Sequence, residues 1–425
     1  MRCVIGIDLG STTTKAVLLG EEQEVLGRGI TNSRSNYDLA AAVARAEAFV
    51  SARFYLLRRA IENAAGDGVL DKLFRAFRLE QMLVQLGSLR ARIEREAEKS
   101  VAAPLRAPLA AALEAIFRQI VAQEEVLLAV DNPPGRSDFF RDTAGSAYIR
   151  LAEETGRSDG VSFDLLVGLY DKCIVAVENE PFDMGFDELV GKALARIGEP
   201  PLLREAVNAT VETALDLVAM VGTGYGRARL PFPKEQIRSE ILCHGLGAHA
   251  MFPGTRTVLD IGGQDTKAIQ VDADGIVTSF QMNDRCAAGC GRYLGYIADE
   301  MNLGLHELGP LAEASRRPVK INSTCTVFAG AELRERLSLG EKREDILAGL
   351  HRAVILRAMS LLARSGGVED EFTFTGGVAK NPAAVRALRE LIAENYGERV
   401  INVSPDSIFT GALGGALFAH HEAFA

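Results

Sequence analysis

The chain has 425 residues, a formal net charge of −10 and a sequence pI near 5.3. This length allows two or three domains with sizeable cores, and the negative charge argues against nucleic acid and anionic membranes as partners. We find no run of 18 apolar residues and no charged and apolar leader sequence. We therefore expect a soluble, cytoplasmic protein with no membrane partner.

The first elements predicted along the chain are three strands within residues 3–30, with a turn at 21–24. From about residue 38 to 220 the pattern changes, because apolar residues recur three and four apart and strand signals nearly vanish. We predict a flexible connection at 222–226, followed by a helix at 235–250. The amphipathic helices predicted before it cover segments 38–65, 69–100, 105–130, 163–178 and 201–220.

The second half of the chain alternates strands with helices. Strands are predicted at 257–262, 267–271, 276–282, 371–375 and 399–403, with a short extended segment at 319–322. Helices are predicted from about 287, from about 327, and at 341–364, 382–395 and 410–422. A βββαβαβα pattern present twice indicates a duplicated α/β core, here interrupted by an all-helical insertion.

One segment of eleven residues occurs twice. The sequence IDLGSTTTKAV at 7–17 aligns without a gap on LDIGGQDTKAI at 259–269, with five identical positions. Each copy reads as a strand, a glycine turn and a strand, with an Asp at the end of the first strand. Facing turns of this kind can hold phosphate on backbone N–H groups and hydroxyls, and their Asp residues can hold hydrated Mg²⁺. Two unrelated hairpins are the alternative, but an internal match of this quality disfavours chance.

The repeat carries a resemblance. VIGIDLGSTTTKAVLL and VLDIGGQDTKAI resemble the two phosphate loops of the actin, Hsp70 and sugar-kinase superfamily, and FTFTGGVAKNP resembles its adenosine motif, where glycine lets the backbone approach the nucleotide. The resemblance implies a two-lobed α/β ATPase fold around a cleft that binds ATP and Mg²⁺. It implies catalytic roles for Asp8, Asp260 and Gln264, and nucleotide binding by Gly10, Ser11, Thr12, Thr13, Lys15, Gly262, Gly263, Lys267, Gly376, Gly377 and Asn381.

Two cysteine segments each precede a predicted helix: NDRCAAGCGRY, with Cys286 and Cys290, and NSTCTVFA, with Cys325. A helix N-terminus stabilises a thiolate and would equally favour an anionic iron–sulfur cluster. The residues alone leave three interpretations: buried structural thiols, a metal bound by Cys286 with Cys290, or a cluster. A [4Fe–4S] cluster takes four thiolates, so two cysteines would require a second subunit. Three other cysteines are expected to be buried small hydrophobes, namely Cys3, Cys173 and Cys243.

CAAGCGRYL and CTVFA resemble the signature pair of the ATPase family that contains the activators of 2-hydroxyacyl-CoA dehydratases and the ATPase subunits of benzoyl-CoA reductase. The resemblance covers residues 3–30 and about 222–422, and parts of the insertion resemble the large ATPase subunit of benzoyl-CoA reductase. It implies that Cys286 and Cys325 bind a [4Fe–4S] cluster shared with a homologous ATPase subunit. Cys290 stands where the activators usually have Thr or Ser, so its role stays open.

The same resemblance implies a function. The chain would pass electrons from reduced ferredoxin to catalytic subunits, with benzoyl-CoA reductase expected first and a 2-hydroxyacyl-CoA dehydratase as the alternative. Lowering an electron's potential by ~300 mV costs about 7 kcal/mol, which ATP hydrolysis can supply and a binding difference of 1–3 kcal/mol cannot. A small-molecule kinase of the same fold, with Asp260 or Asp265 as its base, stays open, but it would leave the cysteine segments without a role.

We expect a first lobe at 1–37 and 221–255, a helical insertion at 38–220, and a second lobe with the cluster cysteines at 256–404. The segment 405–425 is expected to form a C-terminal helix that packs back on the first lobe. The insertion should be a lid or docking subdomain without catalytic groups, with Leu and Ala stripes as its core. The six histidines are expected at the surface or at helix ends.

Overall fold

The chain divides into two compact units. A computed structural model describes residues 1–33, 36–61, 67–129, 140–156, 161–178, 185–198, 200–224, 230–283, 290–301, 303–321 and 326–424. One unit comprises Met1–Ser51 and Leu215–Ala425, and the other comprises Ala52–Ala214. The helical unit is therefore shorter at both ends than the predicted insertion at 38–220.

The first unit contains a four-stranded sheet built around β1 (Arg2–Leu9). It is joined by β2 (Thr13–Leu19), β3 (Val25–Asn32) and β4 (Asp216–Gly224), in the order β3-β2-β1-β4. The first three strands form an antiparallel meander, whereas β4 runs parallel to β1. A parallel partner requires a crossover connection, and the helical unit lies between β3 and β4 in the sequence.

The prediction of a helix up to residue 220 is wrong, because β4 already begins at Asp216. The segment DLVAMVGTG has no helix-breaking residue before Gly222, so its pattern alone does not mark a strand. Pairing of β4 along the whole length of β1 decides the conformation, as tertiary context commonly does for strands.

A second sheet in the same unit repeats the first. It consists of β5 (Thr257–Ile261), β6 (Thr266–Val271), β7 (Val277–Asn283), β8 (Phe372–Thr375) and β9 (Ile401–Val403), in the order β7-β6-β5-β8-β9. Again the first strand lies between its antiparallel hairpin partner and a parallel strand. Among the described residues the first sheet has no fifth strand, so the βββαβαβα pattern is complete only in the second copy.

The helical unit has its own core. Tyr148 is fully buried there and stacks on Tyr170, with 4.8 Å between ring centroids. Five of its helices match predicted segments, two were not predicted (α4 and α6), and α7 ends well before residue 220. The helices are α1 (Tyr37–Ile61, which begins in the first unit), α2 (Asp67–Ser100), α3 (Ala103–Ala129), α4 (Phe140–Gly156), α5 (Phe163–Glu178), α6 (Phe186–Arg196) and α7 (Pro201–Glu212).

The chain enters and leaves the helical unit at adjacent points. Arg53, near its first residue, donates from Nη1 to the backbone carbonyl of Thr213 at 2.5 Å and also to that of Thr210. Burial lowers the pKa of Arg53, but a guanidinium remains charged in proteins. One side chain thus ties together the two ends of an excursion of more than 150 residues.

The remaining helices belong to the first unit. One of them, α12 (Arg343–Ser365), is long and apolar enough to cross a membrane, but 67% of its most apolar stretch is buried inside the protein. It packs against β6, β7 and α13, so we interpret it as a core helix. These helices are α8 (Glu240–Met251), α9 (Gly291–Glu300), α10 (Leu305–Glu313), α11 (Thr326–Ser338), α12 (Arg343–Ser365), α13 (Pro382–Tyr396) and α14 (Thr410–Phe424).

The C-terminal helix α14 lies in backbone contact with β1 and α8. A β-carbon on Gly6 would lie 2.1 Å from the carbonyl oxygen of Ala412 and from the nitrogen of Ala416. A β-carbon on Gly414 would lie 1.8 Å from the carbonyl oxygen of Cys243 on α8. Apolar residues of α14 also pack on β1, β2 and β4. Glycine is therefore required where these elements cross.

We expect Gly6→Ala to lower the free energy of unfolding by at least about 3 kcal/mol, because the added methyl group meets rigid backbone rather than a movable side chain. The control is Gly295→Ala on α9, where a β-carbon meets nothing within 4 Å and alanine should be neutral or slightly stabilising. Thermal and urea denaturation measure both variants. Wild-type stability in Gly6→Ala would contradict the packing described.

Candidate nucleotide site

The sequence repeat becomes two matched Asp–Lys pairs. In the first hairpin Asp8 lies directly opposite Lys15, and Lys15 Nζ is 3.0 Å from Asp8 Oδ2. In the second hairpin Asp260 lies directly opposite Lys267, with 3.4 Å between Nζ and Oδ1. Both Asp side chains are buried, at 2% and 1% exposure. The two copies thus place the same chemical groups at equivalent points of two sheets.

The two lysines have different surroundings. Lys267 is 1% exposed and contacts three carboxylates: Asp265 Oδ1 at 2.9 Å, Glu240 Oε1 at 3.0 Å and Asp260 Oδ1 at 3.4 Å. Burial alone would lower the pKa of Lys267, but these carboxylates outweigh it and raise the pKa well above its ordinary value. An ammonium group has three donors, and here all three face protein carboxylates. A role for Lys267 as a direct phosphate ligand, expected from the sequence, would require these contacts to rearrange.

Asp260 is held in the ionised form. Its Oδ2 accepts a hydrogen bond from Thr375 Oγ1 at 2.9 Å, and His244 Nδ1 lies 3.2 Å from the same oxygen. Burial would raise the pKa of Asp260, but His244 and Lys267 lower it far below the usual range. A carboxylate that stays charged in a buried position can orient a cation or a water molecule at neutral pH.

Two residues of this cluster were missed by the sequence analysis. Glu240 and His244 lie one turn apart on α8, and their side chains are buried. The expectation that His244 would lie at the surface or at a helix end is therefore wrong, since it is buried and is the fifth residue of α8. Burial would lower the pKa of His244, but Asp260 raises it above the ordinary value; burial raises the pKa of Glu240, against the effect of Lys267. One sequence signal could have identified them: Glu240 and His244 are four residues apart on the predicted helix that leads into the second phosphate strand.

The cluster has the composition of a cation site. Ligand atoms of Asp8, Glu240 and His244 all lie within 4.8 Å of one another. Asp8 Oδ1 is buried and has no hydrogen-bond partner among the described residues, and a buried, unpaired carboxylate oxygen is costly unless it meets a cation or water. Carboxylate oxygens are the ligands that Mg²⁺ prefers, usually together with water and phosphate. The residues present therefore fit a hydrated Mg²⁺ near Asp8.

The two phosphate loops contact each other. A β-carbon on Gly263, in the second loop, would lie 2.4 Å from Thr12 Oγ1 in the first loop. The first loop is shaped by Ser33, whose Oγ donates to the carbonyl of Gly10 and whose backbone N–H donates to that of Thr12. The remaining predicted loop residues are accessible to a ligand, since each is only half-buried: Ser11, Thr13, Gly262 and Gln264.

The third glycine motif lies beside the second phosphate strand. Gly376 adopts φ +87°, and a β-carbon there would lie 2.3 Å from the carbonyl oxygen of Ile261 at the end of β5. Glycine is required there both because φ is positive and because a β-carbon would clash with the backbone of Ile261. Gly377 has open space around it, with its nearest neighbour, Ile408, at 3.8 Å. An open cavity of about 430 Å³ lies next to it, which is large enough for a nucleoside and is lined by Ala379, Lys380, Val403, Ser404 and Pro405.

Asn381 has a structural role in this motif. Its Oδ1 accepts from the N–H groups of Ala383 and Ala384 and so caps α13. Its Nδ2 lies 2.9 Å from Nε2 of the buried His351, whose Nδ1 lies 2.7 Å from the carbonyl oxygen of Leu347. These partners define the neutral tautomer, with Nδ1 donating and Nε2 accepting. His351 is 1% exposed, which also contradicts its expected surface position.

His351 makes the stability of this lobe dependent on pH. Burial lowers the pKa of His351 to about 4, so the unfolded chain, with an ordinary pKa near 6.5, takes up the proton first. The contribution of His351 is fully present above pH 6.5 and is lost as pH falls towards 4. Between pH 7.5 and 4.5 we expect it to remove about 2–3 kcal/mol from the free energy of unfolding. Urea denaturation at both pH values measures this loss, which should be absent in His351→Gln; an equal loss in the variant would contradict the assignment.

The predicted cluster ligands Cys286 and Cys325 lie outside the described residues, but the helices that follow them do not. Tyr296 on α9 contacts Gly330 on α11, and Glu300 on α9 pairs with Arg334 on α11. Both partners advance by four residues, so α9 and α11 run parallel and their N-termini lie at the same end. Among the described residues, the N-termini of α9 and α11 are thus the points at which the two cysteine segments join the fold in the sequence.

The other cysteines are buried. Cys3, Cys173 and Cys243 are at most 4% exposed, which confirms the prediction of buried small hydrophobes. Burial raises the pKa of Cys3 to about 11 and that of Cys243 to about 12, so both remain thiols at neutral pH. Cys290 is 1% exposed, at the start of α9, within the apolar core of the second lobe. This position favours a packing role for Cys290.

Comparison with known proteins identifies relatives along most of the chain. The profile of the BadF/BadG/BcrA/BcrD ATPase family matches residues 5–419. The activating ATPase of (R)-2-hydroxyglutaryl-CoA dehydratase from Acidaminococcus fermentans is 38% identical over 257 residues, which cover 59% of this chain and 94% of the relative. One of the subunits of benzoyl-CoA reductase from Thauera aromatica is 32% identical over 232 residues, which cover 53% of this chain and 81% of the relative.

Comparison of structures gives the same fold. The activator of 2-hydroxyisocaproyl-CoA dehydratase from Clostridium difficile, solved with bound ADPNP, superposes with a TM-score of 0.53 at 24% identity. The superposition covers 99% of this chain and 95% of that chain. The duplicated two-lobed architecture predicted from the sequence is therefore confirmed.

Proposed function

Because the chain belongs to the BadF/BadG/BcrA/BcrD ATPase family, we propose that it is an ATP-hydrolysing activator that delivers low-potential electrons to a catalytic partner protein. The family and the fold support ATP binding, and the relatives named above are activators or reductase subunits that work with such partners. Reduced ferredoxin is the proposed electron donor, and a second, homologous ATPase subunit is proposed to share the cluster.

One observation carries the electron-transfer part of this proposal. The helices α9 and α11, which follow Cys286 and Cys325 in the sequence, pair in parallel, so their described N-termini lie at the same end. A cluster bound there would supply a redox centre of low potential. The proposed role of this chain is to hold two thiolates near the N-termini of α9 and α11, where the helix dipoles would stabilise their negative charge.

In the proposed nucleotide site, two buried carboxylates have different roles. Asp8 offers one unpaired oxygen to a cation, and bound Mg²⁺ would neutralise charge on the phosphates. Asp260, kept ionised by His244 and Lys267, is proposed to orient the attacking water together with Asp8. Ser11, Thr12, Thr13 and the two glycine turns would bind the phosphates through N–H and hydroxyl donors.

The relatives favour a dehydratase activator over the first expectation, benzoyl-CoA reductase. The activating ATPase of Acidaminococcus is more similar to this chain than the benzoyl-CoA reductase subunit, both in identity and in the share of the relative that is matched. We therefore propose a 2-hydroxyacyl-CoA dehydratase as the acceptor class. Electron transfer to a benzoyl-CoA reductase core is the outcome that would reverse this preference.

The experiment combines protein purified without oxygen with reduced ferredoxin, ATP and each candidate catalytic protein in turn. We expect absorbance near 400 nm that is lost in air, and reduction of the dehydratase partner only when ATP is present. An iron-free protein that transfers phosphate to a small molecule would instead establish the kinase alternative.

The helical unit is proposed to dock the partner and to contribute no catalytic group. Because Arg53 holds both ends of the unit together, residues 52–214 can be replaced by a short Gly–Ser linker between Ser51 and Leu215. We expect the variant to retain ATP hydrolysis and to lose assembly with the catalytic partner, measured by size-exclusion chromatography. A variant that assembles and transfers electrons as well as the intact chain would refute the docking role.

A further inference from the structure

The first turn of α9 is bonded to the second phosphate loop. The N–H of Gly291 donates to the carbonyl of Gly262 at 2.8 Å, and the N–H of Arg292 donates to the carbonyl of Gly263 at 2.8 Å. The first N–H groups of a helix have no partner within the helix. Here two of them are satisfied by the loop that is proposed to hold the nucleotide phosphates.

These two bonds fix the orientation of the loop's peptide planes. In a trans peptide the carbonyl and the N–H point in opposite directions. Since the carbonyls of Gly262 and Gly263 point at α9, the N–H groups of Gly263 and Gln264 point away from it. Those are the donors that a phosphate-binding turn must present to its ligand. Helix α9 therefore orients the N–H groups of Gly263 and Gln264 away from itself, towards the side on which phosphate is proposed to bind.

The position of Gly291 leaves little space for a side chain. A β-carbon there would lie 3.2 Å from the carbonyl oxygen of Gly262 and 3.5 Å from both Gly263 Cα and Val378 Cγ2. Alanine would thus press on the loop at the point where it accepts the helix's hydrogen bonds. Gly295, one turn later on the same helix, has no atom of the described part of the chain within 4 Å of a β-carbon.

Resting on the proposed function, we propose that Gly291 and Arg292 are positioning residues whose backbone couples nucleotide binding to the helices behind the cysteine segments. Phosphate bound to the N–H groups of Gly263 and Gln264 polarises the two peptides and strengthens their bonds to α9. The contacts of Tyr296 with Gly330 and of Glu300 with Arg334 carry the change on to α11.

Amide hydrogen exchange on the full-length protein tests this coupling without using its activity. The probes are Mg-ADP and Mg-ADPNP, and the readout is exchange at residues 291–292 and along α9 and α11. In the wild type we expect saturating ADPNP to slow exchange at 291–292 by about tenfold or more. Because coupling is reciprocal, Gly291→Ala should lose this protection and bind ADPNP about fivefold more weakly, whereas Gly295→Ala should behave as the wild type.

The outcomes separate the coupling from the function. If the wild type binds ADPNP with unchanged exchange at 291–292, the coupling is refuted while the ATPase assignment stands. If Gly291→Ala and Gly295→Ala lose protection equally, the effect belongs to the helix as a whole and the role of Gly291 is refuted. A wild type that does not bind either nucleotide overturns the proposed function itself.

Discussion

Replacing Cys286 or Cys325 by serine is expected to abolish the iron–sulfur cluster and all ATP-driven electron transfer. Each cysteine is proposed to supply one of four thiolates, and a hydroxyl is a poor substitute for a thiolate ligand of iron. ATP binding should survive, because the phosphate loops are built from other residues. The measurements are iron and acid-labile sulfide on protein kept under nitrogen, together with ADPNP binding.

The stoichiometry decides whether the cluster is shared. About four iron and four sulfide per dimer would fit a cluster between two subunits, whereas four of each per chain would mean a complete private site and would refute sharing. Cys290→Ser is the matched control, since Cys290 is buried in the core of the second lobe at the start of α9. It should retain the cluster. If the purified protein contained zinc and no iron, the cysteines would have a structural role instead.

Replacing Asp8 by asparagine is expected to lower ATP turnover by at least ~10²-fold, the usual effect of removing a metal-positioning or base group. The amide keeps the size of the side chain but removes the charge that faces Lys15 and the unpaired oxygen proposed to face Mg²⁺. Steady-state ATPase assays across a range of Mg²⁺ concentrations measure the loss.

The matched control is Asp274→Asn, because Asp274 lies exposed in the turn between β6 and β7. It should keep wild-type turnover. Circular dichroism and ADPNP binding show whether Asp8→Asn remains folded and able to bind nucleotide. Unchanged ATP turnover in a folded Asp8→Asn variant would refute the proposed catalytic role of Asp8.

The sequence predicted the parts of the fold that local patterns encode. The two hairpins were recognisable because strand, glycine turn and strand recur with the same Asp and Lys spacing, and the structure places each pair in register. The long helices were recognisable because their apolar residues follow helical periodicity. In contrast, the pattern of β4 resembles the end of a helix, since its pairing with β1 is set by tertiary contacts across the sheet.

The nucleotide site was only half visible in the sequence. Loop residues carry a motif, so Asp8 and Asp260 could be identified before their positions were known. Glu240 and His244 carry none, because their contacts with Asp8 and Asp260 depend on where α8 lies relative to the two sheets. The partners of Lys267 were hidden for the same reason: a lysine in a phosphate-loop motif gives no sign that three carboxylates surround it.

Arg53 holds the two ends of the helical unit together, and this affects how such proteins can diversify. A segment whose two ends meet can be gained, lost or exchanged in one genetic step, because the host sheet needs only a short bridge in its place. The same geometry makes residues 52–214 suitable for production as a separate protein. The partner docking proposed for this unit could then be transplanted between members of the family without altering the ATPase that carries it.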